Sequence, residues 1–269
     1  MVIDFHTHIF PNKIAQATIN ALSQGASIKP HSDGAISGLL SQMEESGVDI
    51  SVNLPVLTRA SQFDSILNFG AELNKKSYVG PRVISFAGIH PDTEDYEGAL
   101  HKIKELGFLG IKLHPDYQGT FFDDERYIRI LSIAKRLDLI TVTHAGLDSA
   151  FIGQPIKCTP LRVLKVLDAL GGYDKLVLAH LGGIALYDDV FKDLAGQSVY
   201  FDTAYVLPYT SKNDFLSLLD KHGADRILFA TDSPWQNQKN MLEIIKSYGL
   251  DKDTLDKILY KNAKGLLNL

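Results

Sequence analysis

His6-Thr7-His8 places two imidazoles one residue apart in an apolar run. Residues two apart on a strand share a side, so both rings can point at one spot. Two ligands of one divalent ion need that geometry, and neutral imidazole suits zinc and other borderline metals. A chance His-x-His on a loop is the competing reading. His144 ends the run Ile140-Thr141-Val142-Thr143, and His180 ends Leu176-Val177-Leu178-Ala179. A glycine lies just beyond each, where the chain must turn closely. Singly, each fits a hydrogen-bonded core histidine equally well; together with His6 and His8 that becomes the poorer account. Asp232 ends Leu228-Phe229-Ala230-Thr231. A carboxylate there is costly unless paired or ligated. A metal would keep it ionised, and a water on the metal could pass it a proton. The other reading is a helix N-cap.

These residues need strand ends to carry them. Short β-branched runs near Val2–His6, Ile50–Leu54, Val83–Ile89, Gly110–His114, Ile140–His144, Leu176–His180, Val199–Asp202 and Ile227–Asp232 read as strands covered on both faces. Amphipathic runs separate them. One follows Asp123 to Leu137, with an acidic start and a basic end that suit the helix dipole. Another opens at Thr159-Pro160 and stops at Gly171-Gly172. A third covers Asn213–His222 and closes on Gly223, and the last starts near Thr254. Eight strands alternating with helices in 269 residues predict a single (β/α)₈ TIM barrel, with no linker to divide residues 1–269. The long first gap holds helical runs after Pro11 and before Gly47. The polar stretch from Ser23 to Gly34 between them is read as a surface insertion in preference to a lid.

A barrel builds its site at strand C-termini. His6, His8, His90, His114, His144 and His180 fall there, whereas chance would place roughly one of nine. His31, His101 and His222 look ordinary. Lys112 and His114 share a side of Gly110-Ile111-Lys112-Leu113-His114-Pro115. An inward lysine must be paired or have its pKa lowered. Electrostatic support of a carboxylate is the first expectation for it; binding an anionic substrate and carrying a carbamate between two metals are the others. His90 and His114 either meet substrate or a second metal, or are rim residues satisfied by backbone.

The composition excludes several classes. A net charge of −5 gives no support to a nucleic-acid footprint. No apolar run approaches a membrane span, and Met1 to His6 reads as a strand without a basic leader, so a cytoplasmic location is expected. The single cysteine, Cys158, excludes an internal disulfide and a Cys-rich zinc site.

The chain resembles the amidohydrolase superfamily, in the branch that includes aminocarboxymuconate-semialdehyde decarboxylase. The likeness runs through Ile3-Asp4-Phe5-His6-Thr7-His8, Gly110-Ile111-Lys112-Leu113-His114-Pro115, Thr143-His144-Ala145-Gly146 and Ala179-His180-Leu181-Gly182-Gly183. It continues in Phe229-Ala230-Thr231-Asp232-Ser233-Pro234-Trp235 and Asn262-Ala263-Lys264-Gly265-Leu266-Leu267. The resemblance implies a divalent metal, usually zinc, on His6, His8, His144 and Asp232, with His180 assisting water or substrate. It implies one ion, or two if Lys112 is carbamylated. Family decarboxylases tend to carry a substrate-binding arginine, for which Arg59 is a counterpart.

The leading reading is a metal-dependent hydrolase of a small amide, lactone or ester. Asp232, assisted by His180, would take the proton of the attacking water and return it to the leaving group. Lys112, His114, Arg59, Tyr117, Tyr205 and Trp235 are the expected substrate-binding residues. A non-oxidative decarboxylase and a non-catalytic metal-binding barrel are the alternatives. The expected partner is a small-molecule substrate, with no nucleic acid, no membrane, and a homodimer in keeping with the class.

Overall fold

The computed structural model describes residues 1–76 and 80–269. Its strands are β1 (Ile3–Thr7), β2 (Ile50–Asn53), β3 (Arg82–Ser85), β4 (Ala87–Gly88), β5 (Gly110–Leu113), β6 (Ile140–Thr143), β7 (Leu176–Leu178), β8 (Tyr200–Asp202) and β9 (Ile227–Leu228). All pair in parallel, in the orders β1-β2-β3 and β4 through β9. The third expected strand is one barrel stave divided at Phe86. Its backbone N–H still donates to the Asn53 carbonyl at 2.9 Å, which carries the β2 ladder across the break. The barrel closes between its last and first staves: Phe5 N–H donates to Phe229 O at 2.9 Å, and Asp232 N–H to His6 O at 2.8 Å. The last strand is shorter than expected, Ile227–Leu228, although beyond it Thr231 O still accepts from Tyr205 N–H at 3.2 Å.

Branched side chains fill two layers. Ile3, Phe5, Val52, Ile84, Val142 and Val177 belong to one buried cluster within the barrel. Ile111, Leu113, Leu176 and Leu178 belong to a second, together with the apolar faces of the surrounding helices. The expected helices are present at Glu125–Arg136, Pro160–Leu170 and Lys212–His222, with Asp124 and Ser211 as hydrogen-bonded N-caps for the first and third. The C-terminal run is broken into Lys252–Asp256 and Asn262–Leu266 around a wide turn.

The first gap holds helices Ala15–Ala26 and Ile36–Ser46. The former absorbs Ser23 to Ala26, so the loop is shorter than its polarity suggests. Leu22, Ala26 and Ile28 line the cavity at the barrel mouth, which corrects the reading of this stretch as a surface insertion.

Register within β1 aims the paired histidines. Asp4 pairs with Ser51 but Thr7 with Asn53, so three steps on β1 face two on β2. Plain alternation would put Asp4 on the side of His6. The bulge frees it to bond Gln238 of helix Gln238–Ser247 at 2.7 Å and the Thr231 backbone N–H at 2.9 Å, while His6 and His8 converge on each other. Burial raises the Asp4 carboxyl to about 7 in spite of these donors.

Candidate active site

His6 Nε2 lies 3.1 Å from His8 Nε2 and 3.4 Å from Asp232 Oδ1, and His8 Nε2 lies 3.0 Å from the same oxygen. Their hydrogen bonds fix what these atoms carry. His8 Nδ1 donates to the Leu54 carbonyl at 2.8 Å, and His6 Nδ1 donates to Asp202 Oδ2 at 2.8 Å. Each neutral ring therefore turns an Nε2 lone pair toward the carboxylate. Three acceptors facing one another repel unless a cation sits among them. Their spacing matches donor atoms about 2.0–2.2 Å from one ion, so the residues fit a divalent metal. Burial by itself would raise the Asp232 carboxyl, and the positive charge that an ion would bring to these three atoms would keep it ionised.

His144 does not join this set. The described residues form a second group of His114, His144 and Asp148. His180 Nδ1 donates to the Ala204 carbonyl at 2.9 Å, which leaves His180 Nε2 to accept from His144 Nδ1 at 3.0 Å. His144 Nε2 is then a buried lone pair without a partner, 3.8 Å from Asp116 Oδ2, which is also unpartnered. The His114 ring stacks on His144 at 4.3 Å, and its Nε2 is 3.4 Å from Asp148 Oδ2. Burial lowers His6, His114 and His144 well below the ordinary imidazole range, with Lys112 and neighbouring histidines adding to it.

Lys112 is buried with its Nζ 3.1 Å from His6 Nε2, the same lone pair that the ion would use, so Lys112 and the ion cannot both hold it. Burial lowers its ammonium to about 8, against the pull of Asp202 and Asp232. The arrangement suits the expected electrostatic support.

The cavity above these groups has a volume of about 660 Å³. His6, His8, His144, His180, Asp232 and Lys112 all reach it, as do His114, Tyr117, Tyr205 and Trp235. Arg59 does not: it is exposed, at the entrance to the short helix Ala60–Gln62, which corrects its assignment as a substrate-binding residue. A place after a strand did not determine which way its side chain turns. His90 is buried but also off the cavity, with Nδ1 accepting the Asp92 N–H at 3.1 Å, as a rim histidine satisfied by backbone would. His101 pairs with Glu97 on the surface.

Three site residues without a glycine's freedom hold left-handed backbone: His180 at φ 61°, Tyr205 at φ 66° and Asp232 at φ 66°. Such conformations are strained and gather where a side chain must be aimed. Asp202, Asp116 and Asp148 are site groups that the sequence reading missed. Asp202 ends a strand just as the histidines do, and that position was the available signal.

A closed parallel barrel with a His, His and Asp donor set at its C-terminal mouth defines a TIM-barrel protein with a candidate metal centre. The family model for amidohydrolases matches residues 3–269, and the chain belongs to that family, whose members are metal-dependent enzymes. No curated protein matches the sequence. Among solved structures, a dihydroxybenzoic acid decarboxylase from Polaromonas, with bound manganese and the inhibitor 2-nitroresorcinol, is 17% identical, with a TM-score of 0.71 over 100% of this chain and 97% of that one. The 5-carboxyvanillate decarboxylase from Sphingomonas paucimobilis is 14% identical, with a TM-score of 0.69 over 100% and 99%. A probable 2-pyrone-4,6-dicarboxylic acid hydrolase from Acinetobacter baumannii is 15% identical, with a TM-score of 0.70 over 100% and 99%. These are likenesses of fold. No helix among the described residues is long and apolar enough to cross a membrane.

Proposed function

We propose that the protein is a metal-dependent hydrolase of a small amide, lactone or ester. The observation that carries this reading is the convergence of His6 Nε2, His8 Nε2 and Asp232 Oδ1 at the cavity, with both ring tautomers set by acceptors behind them. A divalent ion on these three groups, for which zinc is the proposed identity, supplies Lewis acidity and an acidified water. Asp232, ionised, accepts the proton of the attacking water and hands it to the leaving group. His180 Nδ1 is held by the Ala204 carbonyl and its Nε2 accepts from His144 Nδ1, so the pair presents the unpartnered Nε2 lone pair of His144, an acceptor for a donor group of the substrate. Lys112 offsets the charge of Asp202 and Asp232.

Three donor atoms facing an open cavity leave room for substrate, whereas a purely structural site would be closed by four ligands. Metal-loaded protein assayed on a panel of small amides, lactones and esters tests the proposal. Activity unchanged in His6→Ala and Asp232→Asn variants would overturn it.

Decarboxylation is the second reading. It is favoured by Lys112 in the cavity, where a carboxylate could be held, and by the decarboxylases among the similar folds. Against it, Arg59 is off the cavity. Carbon dioxide release without hydrolysis would select it. A cytoplasmic setting is also proposed, in keeping with a buried free Cys158.

A further inference from the structure

The cavity is much larger than the polar floor requires. About 660 Å³ is the size of a pocket for an elaborated small molecule, not for a bare amide or lactone head. Above the histidines its walls are apolar. Ile14, Leu22 and Ile28 come from the segment around helix Ala15–Ala26, and Ile66 and Phe69 from helix Phe63–Lys75. The apolar character continues to the rim, where Ile14 is 50% exposed and Ile152 is 74% exposed. Both belong to the cavity lining, so their exposed surface continues the apolar wall, and covering it with an apolar group is favourable.

Charge narrows the occupant further. Lys112 is the one lysine or arginine among the lining residues, and it already faces Asp202 and Asp232. Asp148 adds negative charge to the same lining. With the floor's positive charge confined to Lys112 and the ion on His6, His8 and Asp232, a carboxylate out along the apolar walls would be buried without a cation, at high cost.

Resting on the hydrolase reading, we propose that the substrate is a carbonyl compound with an apolar, uncharged tail. Its head meets His6, His8 and Asp232, and its tail lies along Leu22, Ile28 and Phe69.

The chain's one tryptophan, Trp235, lines the cavity and gives a binding signal that does not depend on turnover. The metal-loaded full chain is titrated with acetamide, butanamide, hexanamide and octanamide, with adipate as the dianionic comparison, while Trp235 fluorescence is followed. Affinity should rise about fourfold per added methylene until the pocket is full. Adipate should bind no better than acetamide. Leu22→Asp should flatten the dependence on chain length. Ile152→Asp, at an exposed position that tolerates the change, should weaken octanamide more than butanamide. Affinity independent of chain length, or adipate bound more tightly than hexanamide, would overturn the proposal. Chain-length-dependent binding without hydrolysis of any amide, lactone or ester would leave the apolar pocket standing and remove the hydrolase reading. Hydrolysis without chain-length dependence would do the reverse.

Discussion

Asp202 joins two strand-end histidines that are far apart in sequence. Its Oδ2 accepts from His6 Nδ1 at 2.8 Å, and its Oδ1 accepts the backbone N–H groups of His180 at 2.8 Å and Ala204 at 3.1 Å. One buried carboxylate therefore sets the tautomer of a candidate ligand and the path of the strained turn carrying the next histidine.

Asp202→Asn should keep the fold and weaken metal affinity by about 10- to 100-fold, the usual cost of losing such a partner. Competition with a chelator reads the affinity, and far-ultraviolet circular dichroism reads the fold. Wild-type affinity in a folded variant would show that His6 needs no carboxylate behind it.

His180→Ala should lower kcat by about 10²-fold, the cost of misplacing a positioning group, because it removes the acceptor that holds His144 Nδ1, with metal content unchanged. The structure places His180 against His144 and outside the His6, His8 and Asp232 set. Loss of metal along with activity would place His180 among the ligands instead.

Lys112→Met should leave the metal-to-protein ratio as in the wild type. Elemental analysis of both proteins is the measurement. A fall from two ions to one in the variant would assign a bridging carbamate to Lys112 and displace its role as electrostatic support.

Gly146→Ala should destabilise the fold by more than about 1 kcal/mol and lower activity with it. Gly146 sits at φ +87°, and a Cβ there would stand 2.3 Å from the backbone of Ile184. That contact ties the turn after His144 to the turn after His180, so relief of the clash must move one of them. Urea titration gives the stability change, and an unchanged midpoint would show that the turn yields freely.

His222 predicts an acid-sensitive component of stability. Its ring is stacked 3.9 Å from Phe201, and its Nε2 donates to the Val199 carbonyl at 3.1 Å. Burial lowers its pKa from 6.5 to about 4, with the Val199 hydrogen bond opposing the shift. The unfolded chain therefore takes up this proton first. The contribution is present in full above pH 6.5, falls as pH drops toward 4, and amounts to at most about 3 kcal/mol. His222→Gln should show a shallower loss of stability across that window in urea titrations at several pH values. Equal slopes in both proteins would remove the assignment.

Much of this arrangement was legible in the residues. β-branched runs marked all eight staves, and the strand-end rule brought His6, His8, His144, His180 and Asp232 to one cavity. What escaped depends on directions that spacing does not encode. His144 groups with His114 and Asp148, a placement that the spacing of strand-end histidines does not encode. Arg59 and Lys112 both follow or end a strand, yet only the one within the ladder points inward. The split at Phe86 and the bulge in β1 are matters of register, and the β-branched pattern runs through both without a mark.

The closing hydrogen bonds between Phe5 and Phe229, and between His6 and Asp232, have a consequence for biosynthesis. Two of the three convergent donors are made in the first moments of translation, and the third only after residue 231 has been added. A nascent chain can carry His6 and His8 for most of its synthesis without the carboxylate that completes the set. The three-donor set is therefore complete only once residue 232 has been made.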